Sequence, residues 1–249
     1  MNHDPLIVAL DVGSAHEAHA LVDSLGEEIG FYKVGMELYA AAGMDFVREL
    51  MSGGKDVFLD LKFYDIGETV KRAVAQVARS GVRFLTVHGS NAVMRAAMEG
   101  RGAAPVQLLA VTVLTSFDEE DLTDLGYPCP VGELVSLRVR NAMEVGMDGI
   151  VGSPVEAKSI RAQMRPGALL ITPGVRSGGS AADDQKRIAT PLEAIRDGAD
   201  YVVIGRQVTR AEDPALAVRQ IREEMAGRLA CNTSTSSSHT TVTRRSSAC

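Results

Sequence analysis

The chain has 249 residues, of which 45% are hydrophobic and 23% charged, and its formal net charge is −6. That length suits one large α/β domain with a full core. The acidic balance excludes broad nucleic-acid binding, which needs a basic surface, and no run of about 18 apolar residues suggests a membrane span.

The first segment, MNHDPLIVALD, has neither the basic region nor the small-residue cleavage site of a secretory signal, so a cytoplasmic location is the default expectation. Short apolar runs then follow at LIVALDV (6–12), FYKVGM (31–36), DVFLDLK (56–62) and FLTVHG (84–89). The second half continues the series with QLLAVTVL (107–114), GIVGS (149–153), LLITPGV (169–175) and YVVIGR (201–206). Between them, AHEAHALVDSLGEE, MDFVRELMS, ETVKRAVAQVARS and VGELVSLRVRNAMEVG repeat apolar residues at three- and four-residue steps, the signature of amphipathic helices.

Strand and helix alternating with short connections predict a single-domain (β/α)8 TIM barrel over residues 1–229, because each parallel crossover must pass outside the sheet. An open doubly wound sheet would show the same alternation. Residues 230–249 turn abruptly to Ser and Thr, a composition that cannot offset its ordering entropy, and are expected to form a disordered tail. Cys129, Cys231 and Cys249 have no metal-ligand spacing, and neither a metal nor a cofactor is expected.

The polar residues at strand ends carry the chemical signal. Alternation puts Asp60 and Lys62 on one face of the third strand, with Leu59 and Leu61 on the other. Asp11 closes the first strand, Lys33 lies in the second, and His88 ends the fourth. Thr115 follows the fifth, Arg176 the seventh, and Arg206 ends the eighth. Barrel enzymes gather their reactive groups at this rim. A buried ion network would explain Asp60, Lys62 and Lys33 by themselves, yet buried ion pairs stabilise folds poorly. His88 reads as a hydrogen-bonded core residue, and Phe63 and Tyr64 as loop packing.

TPGVRSGGSAADDQKR (172–187) is rich in glycine and small residues and carries Arg176 and Gln185, while VVIGRQVT (202–209) runs through Gly205 and Arg206. Loops after the seventh and eighth strands commonly bind phosphate, with glycine admitting backbone N–H groups and arginine supplying a planar fork. A phosphorylated substrate is the expectation.

With these residues in place, the chain resembles the orotidine 5′-phosphate decarboxylase family in its bacterial form, over about residues 5–228. The most specific element is D-x-K-x-x-D-I at Asp60–Ile66, supported in order by ALD (9–11), KVGMEL (33–38), VTVLTS (111–116), TPGVR (172–176), DQKR (184–187) and VIGR (203–206). The resemblance implies loss of CO2 from orotidine 5′-phosphate to give UMP without metal or organic cofactor. It implies a homodimer in which Asp65, Ile66 and Thr69 serve the neighbouring subunit's site.

By the same resemblance Lys62 delivers the proton to C6, Asp60 lies near the leaving carboxylate, and Asp65 and Lys33 complete an alternating chain of charge. Asp11, Lys33 and Thr69 would hold the ribose and Thr115 the pyrimidine edge. Gln185 and Arg206 would grip the phosphate with Gly205 and Arg176. Two rivals remain at this stage. Magnesium-dependent sugar-phosphate decarboxylases and aldol-type synthases share a related barrel but place a glutamate where Lys33 stands, and an ammonium there would repel a divalent ion. A non-catalytic nucleotide-phosphate binder would use the phosphate loops but not the Asp60–Lys62–Asp65 array.

Overall fold

The structure, a computed structural model, describes residues 4–177 and 189–227. Eight parallel strands close into a barrel in the order in which they occur in the chain. They are β1 (Leu6–Ala9), β2 (Phe31–Gly35), β3 (Asp56–Phe63), β4 (Phe84–His88), β5 (Gln107–Val111), β6 (Gly149–Val151), β7 (Leu169–Pro173) and β8 (Tyr201–Ile204). β1 pairs with both β2 and β8, which closes the ring and rules out the open doubly wound sheet.

Around the strands run α1 (Ala15–Leu25), α2 (Met36–Ser52), α3 (Gly67–Ala78), α4 (Asn91–Arg101), α5 (Glu119–Asp124) and α6 (Val131–Val145). The series ends with α7 (Ala157–Arg161), α8 (Pro191–Arg196), α9 (Arg206–Thr209) and α10 (Pro214–Met225). Helix starts follow local chemistry: Ser14 caps α1 by accepting from the Glu17 N–H, and Asp118 and Asp121 form a reciprocal capping box on α5. No helix among the described residues is long and apolar enough to cross a membrane.

Period-two alternation divides the core in two. Outward residues such as Val8, Tyr32, Val34, Leu59, Leu85 and Ile204 pack against the helices. Inward residues form a separate cluster that includes Ile7, Phe31, Phe58, Phe84, Leu109, Ile171 and Tyr201. Its rings meet edge to face or tilted, with centroids 5.1 Å apart for Phe31–Phe84, 5.3 Å for Phe84–Tyr201 and 5.9 Å for Phe58–Phe84. Two residues further along the same strands stand Ala9, Lys33, Asp60, Thr86, Pro173 and Val203. The barrel therefore has an apolar floor, with polar groups one layer above it.

β3 breaks the pattern near its end. It pairs with β4 through Phe58–Phe84 and Leu59–Leu85, and next through Phe63–Val87, so four steps on β3 match two on β4. The surplus residues bulge, and Lys62 sits within the bulge at φ 47°, making it the sole non-glycine residue with positive φ among those described. Simple alternation does not anticipate this, although the two-residue excess preserves which face Phe63 occupies.

Candidate active site

A cavity of about 740 Å³ opens at the carboxyl ends of the strands. Its size suits a nucleotide-sized ligand. Asp11, Lys33, Asp60, Lys62, Thr115, Arg176, Gly205 and Arg206 all line it, so eight of the residues singled out from the sequence meet in one place. Ala9, Val111, Val151 and Val203 form its apolar base.

The charged residues form a chain of alternating sign. Lys33 Nζ donates to Asp11 Oδ1 at 2.8 Å and lies 3.8 Å from Asp60 Oδ2. Lys62 Nζ donates to the other carboxylate oxygen of Asp60, Oδ1, at 2.9 Å. Lys33 and Asp60 are nearly buried, with side chains 10% and 13% exposed, whereas the two ends of the chain, Lys62 at 31% and Asp11 at 52%, are more open. Burial alone would push the Asp60 carboxyl up, but Lys33, Lys62 and the Thr86 hydroxyl outweigh it and hold the group below the ordinary carboxylate value.

Two supporting residues escaped the sequence reading. Thr86 Oγ1 donates to Asp60 Oδ1 at 2.9 Å and accepts the backbone N–H of Lys62 at 2.9 Å, pinning the bulge to the charge it presents. Its signal was available in FLTVH, where alternation puts Thr86 on the same face as Phe84 and His88. Gly35 is the second: a Cβ there would stand 3.0 Å from Lys33 Nζ and 3.1 Å from Asp11 Oδ1, so the ion pair occupies the space a side chain would take.

Asp65, Ile66 and Thr69 do not join this cavity. Asp65 is exposed and its Oδ1 accepts the backbone N–H of Ile66 at 2.6 Å, while Ile66 is itself 72% exposed. The alternating chain within one protomer therefore ends at Lys62. Gln185 lies outside the described residues, as do Gly178, Gly179 and the Ser/Thr-rich segment at 230–249.

His88 differs from expectation. Its Nδ1 is buried and makes no hydrogen bond, its ring stacks at 4.2 Å on Tyr64, and it does not line the cavity. Arg138, whose charge acts on His88, donates instead to the Thr112 carbonyl and the Tyr127 hydroxyl. Phe63 packs against the outer core rather than around the loop, and Tyr64 is 68% exposed.

Among the described residues no group of three or more His, Cys, Asp or Glu side chains is arranged to hold a metal ion. Glu37 reaches the cavity, but the neighbouring carboxylates of Asp11 and Asp60 already face the Lys33 ammonium.

The model of the orotidine 5′-phosphate decarboxylase / HUMPS family matches residues 4–221. The chain belongs to this family. An orotidine 5′-phosphate decarboxylase of Nitrobacter winogradskyi is 49% identical over 226 residues, covering 91% of this chain and 94% of the relative. One from Rhodopseudomonas palustris strain BisA53 is 51% identical over 224 residues, covering 90% and 95% respectively. Among solved structures, the crystal structure of orotidine 5′-phosphate decarboxylase from Lactobacillus acidophilus superposes with a TM-score of 0.78 at 34% identity, covering 90% of this chain and 99% of that one. For an orotidine 5′-phosphate decarboxylase / HUMPS family member the closed barrel is the shared frame, and the bulge of β3 sets Lys62 at its rim.

Proposed function

We propose that this protein is an orotidine 5′-phosphate decarboxylase that converts orotidine 5′-phosphate to UMP and CO2 in pyrimidine biosynthesis, without a metal or organic cofactor. The observation that carries the reading is the Lys33–Asp60–Lys62 array, with Lys62 in the lining of a nucleotide-sized cavity that Arg176 and Arg206 also line.

Breaking the bond between C6 and the carboxylate leaves an electron pair on C6 that the pyrimidine ring delocalises poorly. The Lys62 ammonium, held beside that carbon, stabilises the developing charge, and one of its protons passes to C6 as neutral CO2 departs. The amine then regains a proton from solvent. Asp60 fixes the ammonium and places a negative charge near the leaving carboxylate. Two like charges about 4 Å apart interact by about 4 kcal/mol at an effective dielectric near 20. That is worth roughly three powers of ten in rate, so most of the acceleration falls to stabilisation of the carbanion and to binding energy from the phosphate end.

Lys33 also bears on the magnesium-dependent rival. Its ammonium lies within 4 Å of two rim carboxylates and so occupies, electrostatically, the place a divalent cation would need.

We further propose that the working enzyme is a homodimer in which Asp65, Ile66 and Thr69 complete the partner's site. The exposure of Asp65 and Ile66, the absence of all three from the lining of their own cavity and the exposure of Tyr64 beside them support this. Asp11 and Lys33 would hold the ribose, Thr115 the pyrimidine edge, and Arg206, Gly205, Arg176 and Gln185 the phosphate.

The test follows the absorbance of orotidine 5′-phosphate with wild type and Lys62→Ala. Turnover is expected to vanish while UMP binding survives; equal rates would remove Lys62 from the chemistry. For the shared site, inactive Lys62→Ala and Asp65→Ala proteins are mixed under conditions that exchange subunits. Random pairing makes half the dimers hybrid, each with one intact site, so about a quarter of wild-type activity should return. No recovery would place both residues in one subunit's site.

A further inference from the structure

Arg176 and Arg206 reach the cavity from different strands, the first beyond β7 and the second just after β8. Two cations serve one anion better when their backbones are already held together, because bringing like charges close costs energy. Gln207, the residue after Arg206, bridges to Ser177, the residue after Arg176. Its Oε1 accepts the Ser177 backbone N–H at 3.0 Å, and its Nε2 donates to Ser177 Oγ at 2.7 Å. Because a backbone N–H can only donate, it fixes which end of the amide faces it, so the clasp has one orientation.

Each side of the clasp is anchored separately. The Arg176 N–H donates to the Ala189 carbonyl at 3.0 Å, and Val175 pairs with Ala189 as an isolated parallel bridge. On the other side, Thr209 and Arg210 donate to the Gly205 and Arg206 carbonyls at 3.1 and 3.0 Å. The amide is therefore a cross-tie between two ordered segments, each ending in a cavity-lining arginine.

We infer that Gln207 is a positioning residue that selects for a phosphate monoester by holding the Arg176 and Arg206 segments at one spacing through Ser177. The inference rests on the reading of these arginines as the phosphate end of the site. The cost of ordering the two segments is met on folding rather than on binding, which is how preorganisation raises affinity. The effect is confined to the phosphate because Lys62 and Asp60 are supported by other partners, Thr86 and Lys33.

The experiment measures inhibition by UMP and by uridine, which lacks the phosphate, for wild type, Gln207→Ala, Ser177→Ala and the double variant. In Gln207→Ala the UMP inhibition constant and the KM should rise about fivefold to tenfold, the scale of one or two lost hydrogen bonds. Ser177→Ala, which removes the Oγ arm and keeps the backbone arm, should show a smaller rise of the same kind. The uridine constant and kcat at saturation should stay within about twofold of wild type, and the double variant should be no weaker than Gln207→Ala, because that change already removes both arms. Equal weakening of UMP and uridine, or additive effects of the two substitutions, would overturn the role. Arg206→Ala separates the two levels. If it lowers the preference for UMP over uridine while Gln207→Ala does not, the positioning role alone fails; if Arg206→Ala leaves the preference intact, the phosphate reading fails and the inference with it.

Discussion

Thr86 ties Lys62 to the barrel at the point where the backbone is strained: its Oγ1 accepts the Lys62 N–H at 2.9 Å, and Lys62 holds φ 47°. A non-glycine residue in the left-handed region costs on the order of 1 kcal/mol or more and persists where its surroundings enforce it. The same hydroxyl donates to Asp60, so one side chain sets both the strained backbone and the counter-charge. Thr86→Val, which keeps the shape and removes both hydrogen bonds, should lower kcat by about tenfold to hundredfold through misplacement of the amine. Thr86→Ser retains the hydroxyl and should stay within about threefold. Steady-state kinetics on the two variants check this, and equal losses would show that shape rather than the hydroxyl matters.

Lys33 is the buried hub of the charge chain, and Asp11 is its exposed end. Lys33→Met leaves Asp60 with Lys62 as its one ion-pair partner among the described residues, and should destabilise the fold by about 3–5 kcal/mol, as expected when a buried pair loses one member. Asp11 is 52% exposed at its side chain. Solvent screening limits the stability effect of Asp11→Asn to about 1 kcal/mol or less. Urea denaturation of both variants should therefore separate them clearly, and similar midpoints would argue against Lys33 as the hub.

Much of this arrangement was legible in the sequence because each strand is a short apolar run that stops at glycine or a polar residue. Eight of the rim residues share a cavity for that reason. What escaped has particular causes. The helical spacing in MDFVRELMS begins at Met44, whereas α2 begins at Met36. Gly43, at φ 63°, kinks the helix and resets the phase of its apolar face, so the first turns do not continue the pattern. The bulge at Lys62 adds two residues, which leaves period two intact and so leaves no trace in the alternation. For Thr86 the alternation of FLTVH showed the face but not the partner, because a threonine inside an apolar strand is ordinary until the charge beside it is known. The separation of Asp65 from its own cavity depends on the turn after the bulge, which sequence proximity to Lys62 conceals.

His88 supplies a pH dependence. Burial, assisted by the Arg138 charge, pushes its imidazole down from 6.5 to about 4. The folded protein thus holds His88 neutral where the unfolded chain would protonate it. The unfolded state binds more protons between about pH 6.5 and 4, so stability falls as pH falls through that window and levels off below it. The ring is partly exposed, and after screening the contribution between pH 7 and pH 5 is about 1 kcal/mol. His88→Gln should lose less stability than wild type, by that amount, when denaturation is compared at the two pH values. An identical difference in both proteins would mean that other groups carry the acid sensitivity.

Arg83 closes the opposite end of the barrel. Its Nη1 donates to Asp56 Oδ2 at 2.6 Å and its Nη2 to the Tyr201 hydroxyl at 2.7 Å. The guanidinium carbon lies 5.1 Å from the ring centroid of Phe31, 5.5 Å from that of Phe84 and 5.7 Å from that of Tyr201. A planar cation over the aromatic floor covers π faces that would otherwise meet water, and its fork satisfies the one polar atom of the floor. Arg83→Met keeps the apolar stem but loses the fork and the cation. The Asp56 bridge is half exposed and contributes little. The ring contacts and the tyrosine hydrogen bond dominate, for an expected loss of about 1–2 kcal/mol. Because Phe31, Phe58 and Phe84 lie between Arg83 and the layer that carries Lys33 and Asp60, kcat and KM at a temperature well below unfolding should match wild type. Thermal denaturation paired with kinetics makes the check. A drop in kcat without a drop in stability would mean that the floor transmits strain to the charge chain, contrary to the layering described above.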